Sequence, residues 1–172
     1  MKKLYVVIDM QHDFVDGSLA NPMALAIVKP LSDHVKQWLE QGEQVVYTMD
    51  THDEHYLSTQ EGQRLPVVHC IKATKGWELV EPLNTLLRSS LSFEKPTFGS
   101  TTLAAYAKDY DAIYLCGVCT DICVISNAML IKANNPQARI VIYEDLCAGV
   151  SEQSHHTALQ AMANCQMDIV HS

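Results

Sequence analysis

No run of apolar residues in the chain reaches the roughly 18 that a membrane-spanning helix requires, and the reading as a membrane protein is set aside. Basic residues are scarce: Lys and Arg number 12 against 20 Asp and Glu, for a formal net charge of -8. That balance argues against a nucleic-acid face, which needs clustered cations to neutralise phosphates. An uncharged small substrate meets no such penalty. No Gly-rich dinucleotide fingerprint follows the first apolar run, where Asp9, Met10 and Gln11 stand instead, and no Gly-Lys-Ser phosphate loop occurs. Both common cofactor readings of an α/β chain are thereby demoted. Repeats, low-complexity tracts and linkers are absent as well. The opening MKKLYVVIDM looks briefly like an export signal, but its apolar run from Leu4 to Ile8 is too short and Asp9 closes it. The cytoplasm is the expected compartment.

What is present is ordinary globular material, 48% hydrophobic and 19% charged over 172 residues. A chain of that size buries roughly 70% of its extended surface on folding, and a single domain over residues 1–172 is expected. The six cysteines are Cys70, Cys116, Cys119, Cys123, Cys147 and Cys165. An even count invites a disulfide framework. The chain is long enough to make its own core and carries no secretory signal, which favours reduced thiols. Cys116, Cys147 and Cys165 read as small buried hydrophobes.

Periodicity places strands at Leu4–Asp9, Gln44–Met49, Leu91–Lys95, Ala112–Cys116, Arg139–Tyr143 and Met167–Val170. These are short, β-branched runs of the kind that parallel strands covered on both faces require. Helical spacing over Met23–Gln41 ends at Gly42, a natural C-cap, and Pro30 is expected to mark the true start of that helix. Further helices are expected at Glu78–Leu87, Ser100–Lys108, from Thr120 or Asp121 to Ala133, and at Glu152–Asn164. Strands alternating with helices predict a three-layer α/β/α fold around a mostly parallel, Rossmann-like sheet. Between Thr51 and Thr74 the periodicity fades into a long loop rich in His, Asp and Glu, and loops of that length are usually functional.

Open α/β sheets bind ligands beyond the carboxyl ends of their strands. Asp9, Asp50, Lys95 and Cys116 all stand at such ends, and Cys123 enters the helix after the last of them. A thiol beside an ammonium and a helix N-terminus is biased toward thiolate. A carboxylate can take its proton, and turn amides can hold an oxyanion. The trio therefore suits acyl transfer by a cysteine nucleophile. A second group, Asp50, His52, His55, Glu61 and His69, offers imidazole and carboxylate donors that suit zinc, iron or manganese. His55 and Glu61 compete for one position, and a merely solvated polar loop is the plainer alternative. His155 and His156 read as surface or packing residues. His12 lies close enough to Asp9 for a place in a pocket wall.

Three segments carry a family likeness: Asp9-Met10-Gln11-His12-Asp13-Phe14, Lys95-Pro96, and Gly117-Val118-Cys119-Thr120-Asp121-Ile122-Cys123-Val124. Together they resemble the signature of the isochorismatase-like cysteine hydrolases. Asp50-Thr51-His52 and Leu65-Pro66-Val67-Val68-His69-Cys70 resemble the metal loop of its nicotinamidase (pyrazinamidase) branch. The resemblance implies a catalytic triad of Asp9, Lys95 and Cys123, with Cys123 the nucleophile. It implies an oxyanion site at the backbone N–H groups of Cys119 and Cys123 beside a cis bond after Val118. Asp50, His52, His69 and, in preference to His55, Glu61 are the implied ligands of a divalent metal, zinc ahead of iron or manganese. Phe14 and Val118 are implied pocket residues, and Phe98 is either a cavity wall or a core residue.

The likeness further implies a small-molecule amide as substrate, hydrolysis of nicotinamide to nicotinate and ammonia in pyridine nucleotide salvage, and a homo-oligomer, dimer or tetramer, with no nucleic-acid or membrane partner. The alternatives are a ureido or N-carbamoyl substrate, an isochorismate-type vinyl ether, or a binding protein that kept the sheet and lost the activity. One departure is local: Ala73 stands where the family commonly has Gly, which leaves the backbone there open.

Overall fold

The computed structural model describes residues 1–172. Six short runs form the strands β1 (Lys3–Ile8), β2 (Gln44–Asp50), β3 (Leu91–Lys95), β4 (Ala112–Val118), β5 (Arg139–Ala148) and β6 (Asp168–Val170). They pair in the order β3-β2-β1-β4-β5-β6, and every pairing is parallel, so the mostly parallel sheet of the sequence reading is wholly so. Leu4, Val6, Val7 and Ile8 of the central β1 have no exposed surface. That is the physical reason the run is continuously apolar: both faces are covered, so no polar position is tolerated.

The helices are α1 (His12–Val15), α2 (Pro22–Glu40), α3 (Gln60–Arg64), α4 (Leu83–Leu86), α5 (Thr101–Tyr106), α6 (Ile125–Asn134) and α7 (Glu152–Asn164). Right-handed crossovers place α2, which joins β1 to β2, on one face of the sheet, and α6 and α7, which join β4, β5 and β6, on the other. The direction of the strand order reverses between β1 and β4, which opens a crevice at their carboxyl ends.

α2 starts where the chain supplies a cap. The Asn21 side chain accepts from the Met23 N–H, and Pro22 takes the first turn, where its missing N–H costs nothing. Ala24, Ile27, Leu31, Val35 and Trp38 form its buried stripe. Gly42, at φ +74, supplies the left-handed residue after its last turn. Truncation of the fully buried Leu31 to Ala is worth about 2–5 kcal/mol. The helix does not begin at Pro30 as expected but runs through it. Pro30 and Ala26, whose carbonyl loses its partner, are both exposed, so that carbonyl is open to solvent while the buried stripe continues on the other side.

Other differences are as local. The expected helix over Glu78–Leu87 shrinks to α4, with a cis bond at Glu81-Pro82 ahead of it. β5 extends past Tyr143 to Ala148. Its ladder with β4 breaks after Leu115–Ile142 and resumes at Gly117–Cys147, so the polar Glu144 and Asp145 sit in a bulge that reads as a loop. Neither Thr120 nor Asp121 caps a helix. Thr120–Val124 forms one wide turn, with Val124 N–H donating to the Cys119 carbonyl, before α6 begins. Wide turns of this kind inside helices often mark functional sites. The long loop after β2 holds a turn of 3₁₀-helix at Tyr56–Ser58 and then α3. No helix is long and apolar enough to cross a membrane.

Candidate active site

The crevice receives one functional side chain from each of four strand ends. Asp9 follows β1, Asp50 ends β2, Lys95 ends β3, and Cys123 sits in the wide turn after β4. The sheet register sets two of them side by side, since Asp50 and Lys95 are direct partners across β2 and β3. Gly117 admits β4 next to β1 at this point. Its φ is +111, and a Cβ there would lie 2.2 Å from the Ile8 carbonyl oxygen.

Lys95 Nζ lies 2.5 Å from Asp9 Oδ2, 3.4 Å from Asp50 Oδ1 and 3.5 Å from Cys123 Sγ, and it donates to the Thr97 carbonyl at 3.2 Å. Thr48 Oγ1 donates to Asp9 Oδ1 at 2.6 Å and accepts from the Asp9 N–H. Burial works against the ammonium, but Asp9, Cys123 and Asp50 outweigh it, so Lys95 stays charged well beyond the ordinary lysine range. Burial pushes the Asp9 carboxyl up, opposed by Lys95. Burial likewise pushes the Cys123 thiol well above its ordinary value, and the Asp9 charge adds to this while Lys95 opposes it. The expected bias toward thiolate from Lys95 is present, and burial and the Asp9 charge oppose it.

The peptide bond between Val118 and Cys119 is cis. Cys119 borders the cavity, with its thiol pushed up to about 12 by burial. Val118 does not border it: its side chain points into the core with no exposed surface, because alternation along β4 sends it away from the crevice. The cavity measures about 420 Å³ and is mainly apolar, with Phe14, Leu65, Phe98, Ile122 and Val150 among its walls and Cys123, Asp50 and His69 at its polar end. Phe98 is thus a wall residue and not a core one. The ionisable groups on the walls are Asp50, Glu61, His69 and two cysteines; no Arg or Lys borders the cavity.

Beside the cavity the second constellation gathers. One donor atom each from Asp50, His52, Glu61 and His69 all lie within 4.8 Å of one another. His52 Nε2 is 3.0 Å and His69 Nε2 3.4 Å from Asp50 Oδ2, and both face Glu61 Oε1 at 3.7 and 3.8 Å. His69 Nδ1 donates to the Val67 carbonyl at 2.8 Å, which leaves the Nε2 lone pair for the cluster. Burial acts upward on Asp50, but hydrogen bonds from His52 and His69 and the Lys95 charge hold it well below the carboxylate range. Two imidazoles and two carboxylates converging at this spacing can hold a divalent metal. His55 is not among them: its side chain is 75% exposed and faces Glu54.

Several contributing residues escaped the sequence reading. The Tyr56 ring packs on both metal-loop histidines, and its hydroxyl donates to the Leu65 carbonyl. Asn127 donates to the carbonyls of Cys123 and Phe98 and accepts from the Ser100 N–H, pinning the wide turn to the segment after Lys95. His155 is buried, with Nδ1 2.8 Å from Thr120 Oγ1, so it packs against that same turn from outside, while His156 is exposed. Thr48 is the one with a legible signal, since it shares a strand face with Asp50 two positions on. His12 bonds Asp16 and stays off the cavity wall. Ala73 adopts φ +66, the conformation a Gly would take freely. All six cysteines are free; Cys116 and Cys147 are buried as expected, while Cys165, at the exposed end of α7, is not.

Fold and site together define a hydrolase of the isochorismatase-like α/β class. The model of the Isochorismatase domain family matches residues 3–172. The chain belongs to the isochorismatase family. It is 31% identical, over 95% of its length and 96% of the relative's, to the isochorismatase family protein PncA of Bacillus subtilis (strain 168). Among solved structures it is similar to nicotinamidase/pyrazinamidase PncA from Bacillus subtilis, with a TM-score of 0.86 at 27% identity, covering 99% of this chain and 100% of that one. It is also similar to the pyrazinamidase of Pyrococcus horikoshii in complex with zinc, with a TM-score of 0.86 at 25% identity and 100% coverage of both chains.

Proposed function

We propose that the chain is a metal-containing cysteine amidohydrolase that converts nicotinamide and water to nicotinate and ammonia. The observation that carries this reading is the position of the Lys95 ammonium, 2.5 Å from Asp9 and 3.5 Å from Cys123, whose side chain borders an apolar cavity. Cys123 Sγ attacks the carboxamide carbon as Asp9 takes the thiol proton, and Lys95 stabilises the sulfur as it becomes negative. The N–H groups of Cys119 and Cys123 take the oxyanion. Asp9 passes its proton to the departing ammonia, leaving a thioester on Cys123. Asp9 then removes a proton from the attacking water and hands it to the sulfur as the C–S bond breaks, so the thiol is restored and the product leaves as nicotinate, its acid proton passing to solvent.

Asp50, His52, Glu61 and His69 are the residues that would hold a divalent metal, with zinc favoured. When bound, that metal supplies a Lewis-acid anchor for a ring nitrogen. Phe14, whose ring centre lies 5.6 Å from that of His69, forms the wall against which a flat ring would lie.

Charge favours a neutral amide over the alternatives. Isochorismate and N-carbamoyl amino acids carry carboxylates, and no Arg or Lys borders this cavity to pair with one. A homo-oligomer, dimer or tetramer, is part of the same proposal, and light scattering would report it.

The test is ammonia release from nicotinamide by the purified, zinc-loaded protein, alongside a ureido acid and isochorismate. Release that disappears in Cys123→Ala is the expected result. Turnover that survives in that variant, or turnover of only the carboxylate substrates, would overturn the proposal.

A further inference from the structure

Gln11 has no exposed surface, and two of its three hydrogen bonds go to the main chain of a single residue. Its Oε1 accepts from the Asp50 N–H at 2.8 Å, while its Nε2 donates to the Asp50 carbonyl at 2.8 Å and to the Trp77 carbonyl at 2.9 Å. The reason lies in the sheet. The β1–β2 ladder ends at Val7–Tyr47, because the chain leaves the strand conformation at Asp9, where φ is +48. Beyond that point the edge of β2 facing β1 has no main chain to pair with. On its other edge Asp50 still pairs with β3, opposite Lys95. The Gln11 amide fills the gap, presenting a donor and an acceptor to the N–H and carbonyl of Asp50 as a strand neighbour would.

Asp50 is the carboxylate shared by both halves of the site. Its Oδ1 lies 3.4 Å from Lys95 Nζ, and its Oδ2 faces His52 and His69. The main chain of this residue must therefore be held to within a few tenths of an ångström for both relationships to persist.

We propose that Gln11 is a positioning residue that acts through Asp50. It sets the affinity of the four-ligand cluster for a divalent metal and, through the same carboxylate, the placement of Lys95. The inference rests on the metal reading above but concerns a residue that touches neither metal nor substrate.

The test uses Gln11→Met, which keeps the volume and removes all three bonds, and Gln11→Glu, which keeps the acceptor and replaces the donor by an oxygen. Zinc affinity of the metal-stripped proteins is measured by competition with a chromophoric chelator, on fractions with native near-ultraviolet dichroism. Residues that orient metal ligands from outside the coordination shell typically contribute 10–100-fold in affinity, and a loss of about that size is expected in either variant, with kcat falling more than KM rises. Asn135→Ala is the control for a purely structural loss. That side chain bonds the carbonyls of Ala107, Lys108 and Tyr110 away from the site, so the variant should lose stability and keep zinc. If Gln11→Met does not fold, Gln11→Glu decides. Equal zinc affinity in wild type and the folded Gln11 variants would overturn this proposal alone. A wild type that binds no zinc would overturn the metal reading and this proposal with it.

Discussion

The Lys95 ammonium lies 2.5 Å from the Asp9 carboxylate, and neither side chain has any exposed surface. Two opposite charges sealed from water are each expensive to bury and depend on one another. Lys95→Met leaves Asp9 with an uncompensated burial penalty. The expected result is a loss of about 3–5 kcal/mol in chemical denaturation, with Asp9 becoming neutral and amide hydrolysis abolished. A variant as stable as wild type would mean that the pair is not what holds the crevice together.

Thiol reactivity and catalysis should separate in Asp9→Asn. Burial raises the Cys123 thiol, and the Asp9 charge raises it further. Removing that charge brings the thiol pKa down and raises the thiolate fraction at pH 8. Iodoacetamide should modify Cys123 several-fold faster, while amide hydrolysis falls by roughly 10²–10⁴ for want of the proton carrier. Alkylation that slows along with turnover would contradict the assignment.

Glu61 and His55 make opposite predictions. Glu61 faces both histidines of the cluster, and His55 is exposed beside Glu54. Glu61→Gln should weaken zinc binding at least by the roughly tenfold that loss of even an outer-shell partner typically causes, measured in chelator competition. His55→Ala should leave affinity unchanged. The reverse outcome would return His55 to the coordination shell.

His155 carries a pH dependence of stability. Burial holds its pKa below the ordinary histidine value, with the His156 charge second. Its neutral form is the one the fold accepts, so its contribution is complete above the unfolded value near 6.5. It is lost as the pH falls from there through the lower folded value. Wild type should therefore lose denaturation midpoint more steeply than His155→Gln between pH 7 and pH 5, with His69 common to both and cancelling. Parallel curves would show that His155 does not titrate against the fold.

Two glycine substitutions should differ although both residues have positive φ. Gly42→Ala meets no atom within 4 Å and should cost about 1 kcal/mol for the left-handed conformation alone. Gly117→Ala drives a Cβ into the Ile8 backbone and should cost roughly 3 kcal/mol or more. Thermal denaturation distinguishes the two.

Much of this was legible before any coordinates. Leu4–Ile8 and Ala112–Cys116 are readable as buried strands because a parallel strand covered on both faces tolerates only apolar side chains. The polar residues that follow such runs, Asp9, Asp50 and Lys95, then stand where ligands bind. Gln11 and Asn127 were not legible. A buried amide announces nothing in sequence, since its role is set by partners many residues away, such as Asp50 for Gln11. Pro30 misled for a similar reason, because its cost depends on whether the orphaned carbonyl meets water. Val118 misleads because it is the last residue of β4 and packs in the core, while Cys119, beyond the strand and across the cis bond, borders the cavity.

The sequence by itself determined the alternation of strands and helices and the chemical character of the strand ends, because apolar periodicity and residue type are local properties. Only the tertiary structure decided that one carboxylate, Asp50, would serve the lysine and the histidines together, that Glu61 and not His55 would face them, and that burial would raise the Cys123 thiol against the pull of Lys95. Those outcomes depend on distance and on exclusion of water, and both arise only when β1, β2, β3 and β4 lie side by side.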